Sequence, residues 1–64
     1  MSMSDAVWLP DQIDEVKREL AMRRKLYPHW VETGKLSVAQ SRMRIARMEA
    51  VLATLERLAT GAES

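Results

Sequence analysis

The chain has 64 residues, 47% of them hydrophobic and 30% charged, with a net charge of +1, which is the composition of one small folded domain. It has no cysteine, which excludes disulfides and thiolate metal sites, and its one histidine, His29, cannot build a zinc site without several carboxylates. No uncharged run approaches the ~18–20 apolar residues of a membrane span, and the N-terminus lacks the basic flank and apolar run of a signal peptide, so a cytoplasmic location is expected and no membrane partner.

A chain this short buries only about 60% of the surface that its unfolded form exposes. Without disulfides or metal, regular helix packing and self-association remain as sources of stability.

Residues 1–7 show no periodicity and are expected to be disordered, as are 61–64; the domain is placed at 8–60. In "WLPDQIDEVKRELAMRRKLY", Pro10 suits the first turn of a helix, where its missing N–H has no partner in any case. Asp11, Asp14 and Glu15 then place negative charge on the positive end of the helix dipole. Leu9, Ile13, Val16, Leu20 and Tyr27 recur at helical spacing and form one narrow apolar stripe. The first helix is predicted over 10–26.

Pro28 disfavours helical geometry at Tyr27. It also suits the start of a new turn, so 28–33 is predicted as one short separate helical turn. Gly34 follows, where a helix end favours a left-handed residue. Ser37 and Gln40 have the spacing of a capping box.

The second helix is predicted over 38–60, ending at Gly61. Its apolar stripe is Ile45, Met48, Leu52, Leu55 and Ala59, and Val51 and Leu58 widen it to one side. An arc this broad suits burial against two neighbours rather than one. Alanines 39, 46, 50 and 53 lie on the opposite face, and exposed helix formers are the simpler reading of them. The short connection makes the two helices antiparallel neighbours.

The charge is unevenly placed. Residues 23–47 hold seven bases against the single acid Glu32, a balance of +6; the rest holds three bases and eight acids, a balance of −5. A hairpin would gather the bases at its corner and the acids at its other end. With the turn near residue 32, Glu19 would lie opposite Arg44 or Arg47, and Lys17 opposite Glu49. Three readings fit this map: solvated faces with local pairs, an acidic protein surface as partner, or the phosphates of DNA or RNA.

Arg23 falls where the first helix's stripe expects an apolar residue, and Arg44 lies beside the second helix's arc. Their long stems can lie on apolar surface with the heads in water, or the heads can face a carboxylate of a second subunit. Tyr27, Trp30, Val31 and Leu36 cluster at the corner, where they read as a small satellite core or, less simply, as an anchor for a partner.

No catalytic pattern emerges. The two glycines are far apart and each follows a helix, so no phosphate loop or other cofactor site is expected. His29 and Glu32 offer the groups for acid–base work, but a corner without a pocket favours a solvated histidine. No enzyme is expected.

The run "ELAMRRKLYPHWVETGKLSVAQSRMRIARMEAVLATL" resembles a group of small, mostly uncharacterised helical proteins encoded in bacteriophage and prophage genomes. The resemblance rests on Met22-Arg23-Arg24 before Tyr27-Pro28, on Trp30-Val31, on Gly34 and on the segment from Arg44 to Ala50. It implies an accessory, regulatory or host-takeover role and carries no activity. Gly34 to Gln40 is also similar to the turn of the SHOCT type of short helical module, though capping alone accounts for the same residues.

The sequence therefore points to an all-α antiparallel helical hairpin with a Pro-started corner, dimerising into a four-helix arrangement through Met48, Val51, Leu52, Leu55 and Leu58. Its function is expected to be that of a non-enzymatic interaction module. Arg23, Arg24, Lys25, His29, Trp30, Lys35 and Arg42 would meet an acidic host or phage protein. The alternative is a small nucleic-acid-binding regulator using the same corner.

Overall fold

The computed structural model describes residues 8–61; of the segments expected to be disordered, 1–7 and 61–64, all but Gly61 lie outside the described residues, and Gly61 is hydrogen-bonded at the end of the second helix. Two helices make up the fold, α1 (Leu9–Glu32) and α2 (Val38–Ala59), and they pack against each other. Leu9 and Pro10 share a hollow with Ala59, and Val16 shares a groove with Leu55, so the start of α1 lies beside the end of α2. The hairpin is therefore antiparallel, as the short connection requires.

α1 begins after Trp8, which is extended and offers no side-chain cap; Pro10 lies in the first turn. The helix does not stop at residue 26. It runs through Pro28 to Glu32, so the segment expected as a separate turn is the last turn of α1. The local rule against helix before proline is overridden by packing. Tyr27 is only 5% exposed, its ring centroid lies 5.5 Å from that of Trp30, and Leu36 (6%) closes the same corner. Keeping the helix intact through Pro28 holds these three residues together.

The exit from α1 is fully bonded. Gly34 adopts φ +80°. The Lys35 N–H donates to the Trp30 carbonyl at 2.9 Å and the Gly34 N–H to the Val31 carbonyl at 3.2 Å, the paired bonds of a Schellman motif. Three residues on, the Gln40 N–H donates to Ser37 Oγ and the Ser37 N–H to Gln40 Oε1, both at 3.0 Å, completing the capping box. α2 closes at Gly61 (φ +72°), whose N–H donates to the Leu58 carbonyl at 3.3 Å.

The core is thin. Among the described residues only Leu20, Tyr27 and Leu36 are buried, and α2 contributes none of them. Leu20 and Tyr27 are seven residues apart and share the stripe turned toward α2. Ile45, Met48, Leu52 and Leu55 face them, each half-buried. The alanines at 39, 46, 50 and 53 are exposed, in keeping with their reading as helix formers. No described helix is long and apolar enough to cross a membrane.

Candidate interaction surfaces

The long α1 moves the turn to 33–37 and with it the register of the hairpin. Glu49 pairs with Arg24 rather than Lys17, Arg24 Nη2 lying 2.5 Å from Glu49 Oε2. Glu19 does not reach Arg44 or Arg47 directly. It accepts from Arg23 Nε at 2.9 Å, and Arg23 Nη1 donates to the Arg44 carbonyl at 3.1 Å.

These contacts sort the expected binding residues. Arg23 is half-buried, its guanidinium tying Glu19 of its own helix to the backbone of α2. Its place on the apolar stripe is thus explained within one chain, with no need of a second subunit's carboxylate. Arg24 is exposed yet paired across the hairpin. Trp30 is half-buried against Tyr27 and belongs to the corner packing.

Lys25, His29, Lys35 and Arg42 are exposed and make no ion pair, and neither do Arg44 and Arg47 on α2. With 3.6 residues per turn, Arg44 and Arg47 are neighbours on one face of α2 and Arg42 points to another side. The free cations of α2 therefore do not all share one face. His29 and Glu32 are both exposed and make no hydrogen bond to each other. No group of three or more histidine or acidic side chains among the described residues is placed to hold a metal ion.

The opposite end is acidic and grooved. Asp11, Gln12, Asp14, Glu15 and Arg18 line a groove of 720 Å³ together with Val16, Val51 and Leu55. Glu15 accepts from Arg18 Nη2 at 2.7 Å, and this hydrogen bond, with the charge of Glu15, pushes the Arg18 pKa up from its ordinary value. A smaller hollow of 260 Å³ lies between Ala50, Val51, Thr54 and Leu55. At the very end Trp8, 74% exposed, forms a hollow with Leu9, Pro10 and Ala59.

The residues expected at a dimer contact divide in two. Leu52 lies on the stripe turned toward α1. Val51 (47% exposed) and Leu58 (48%) stand away from it, while Met48 and Leu55 lie between and are half-buried. Compared with family models, curated proteins and solved structures, the chain matches none of them.

Proposed function

We propose that this chain is a non-enzymatic helical interaction module whose cationic corner meets an acidic protein surface. The observation that carries the reading is the division of its cations. Arg23 and Arg24 are spent on the hairpin itself, whereas Lys25, Lys35 and Arg42 stand exposed with no partner. Unpaired cations at one end raise association rates with acidic surfaces and select against basic ones. The bacteriophage and prophage resemblance agrees with an accessory role of this kind.

The placing of Arg42 on a different side of α2 from Arg44 and Arg47 favours a protein partner over a duplex, whose phosphates present a repeating row to one face. The experiment is to titrate the protein with a labelled generic DNA duplex from about 50 to 200 mM salt, beside an acidic polypeptide such as polyglutamate. A phosphate-binding surface loses affinity steeply over that range. Binding of the acidic chain, lost in Lys25→Glu/Arg42→Glu, is the expected result. Steep salt-dependent duplex binding without it would replace this reading with that of a nucleic-acid-binding regulator.

A further inference from the structure

α2 carries two overlapping seams. The first, Ile45–Met48–Leu52–Leu55, faces α1 and is half-buried. The second runs Arg44, Met48, Val51, Leu55, Leu58, with steps of four, three, four and three. That is the a/d spacing of a helix that packs along another helix. Met48 and Leu55 belong to both seams, while Val51 and Leu58, which belong only to the second, remain about half exposed.

The surroundings of the second seam are charged with opposite signs at its two ends. At the α2 start it begins with the unpaired Arg44 and is flanked by the unpaired Arg47. At the α2 end it opens into the groove lined in part by Asp11, Asp14 and Glu15. The hollow between Ala50, Val51, Thr54 and Leu55 sits at mid-seam, where small side chains leave room for an incoming one.

We propose that a second copy of this chain covers this seam head to tail, α2 against α2 in antiparallel, with the two-fold axis near Val51. The proposal deepens the reading of the chain as an interaction module, adding a self-contact along a face of α2 that Lys25, Lys35 and Arg42 do not line. Turning the copy about Val51 brings its Arg44 opposite Leu58, since both lie seven residues from the axis. Arg44 of the second copy then comes to the end of the seam where Asp11 and Asp14, which make no ion pair, line the groove. The same operation places each basic corner beside the other's acidic end. A corner-to-corner arrangement would instead bring two cationic ends together, which charge opposes. The antiparallel choice also sets the two α2 dipoles against each other favourably.

The chain has no cysteine, so single thiols report the geometry directly. We would make Val51→Cys, Leu58→Cys and Arg44→Cys, all at exposed positions, and check each by helicity before oxidation. Val51→Cys is expected to form a disulfide dimer. Leu58→Cys alone is expected to remain unlinked but to cross-link with Arg44→Cys when the two are mixed. Sedimentation of the unmodified chain should show a dimer that weakens as salt screens the paired ends.

A monomer at every salt, with no cross-link from Val51→Cys, overturns the proposal. So does Leu58→Cys linking to itself, which marks the parallel arrangement. The outward substitutions Lys25→Glu and Arg42→Glu lie off the seam; they weaken the attraction between the ends, as salt does, and should leave the Val51→Cys cross-link in place. An unmodified chain that is dimeric but does not bind the acidic chain, or one that binds it but is monomeric, separates failure of one reading from failure of the other.

Discussion

Arg24 and Glu49, 25 residues apart in the chain, meet at 2.5 Å across the hairpin. Their side chains are 56% and 50% exposed, so water screens the pair. Exposed ion pairs of this kind contribute about 0.2–1 kcal/mol. A double-mutant cycle with Arg24→Ala and Glu49→Ala, followed by urea unfolding, should return a coupling in that range that shrinks with added salt. A coupling of zero at low salt would mean that the register is held by packing alone.

Leu20 is the most buried side chain of the domain, at 4% exposure. Leu→Ala in a packed interior costs about 2–5 kcal/mol. With Tyr27 and Leu36 the only other buried residues among those described, the loss approaches the entire stability of a small domain. Leu20→Ala should therefore lose most of its helical signal at ambient temperature, whereas Met22→Ala, at a position 43% exposed on the same helix, should keep it. Equal melting of the two variants would mean that the stripe is not the core.

The turn offers a separate test of backbone and capping terms. A Cβ at Gly34 would meet nothing within 4 Å, so the cost of Gly34→Ala comes from φ +80° and not from a clash. About 1–2 kcal/mol is expected from that conformation. Ser37→Ala removes the oxygen that accepts from the Gln40 N–H and should cost about 1 kcal/mol. Thermal melts should show both losses, since one kcal/mol shifts the midpoint by about 4–8 °C in a domain of this size.

The elements that local chemistry controls were legible in the sequence. Gly34, Gly61 and the Ser37–Gln40 box sit at helix ends because their backbone and side-chain preferences act over a few residues, and the hydrogen bonds are there. The first helix's end was not legible. Pro28 argues locally for a break, but the helix is kept by the burial of Tyr27 and Leu36, which are neighbours only after the chain has turned. That one boundary carried the register with it, moving the partner of Glu49 from Lys17 to Arg24. The cationic corner was legible as a charge run, but which cations the hairpin itself consumes was not. Only the fold places Arg23 against the Arg44 carbonyl.

Pro28 lies inside α1 with no N–H to donate to the carbonyl of Arg24, four residues before it. Proline in a helix interior is about 3 kcal/mol less favourable than alanine. That difference already includes the proline's restriction of the unfolded chain. Pro28→Ala restores the donor, and position 28 is exposed, so no packing is lost. The variant should be about 2–3 kcal/mol more stable, with a higher melting temperature and unchanged helical content per folded chain. A destabilised Pro28→Ala would show that the proline ring fixes the geometry of the last turn, and that the Tyr27–Trp30–Leu36 corner depends on it.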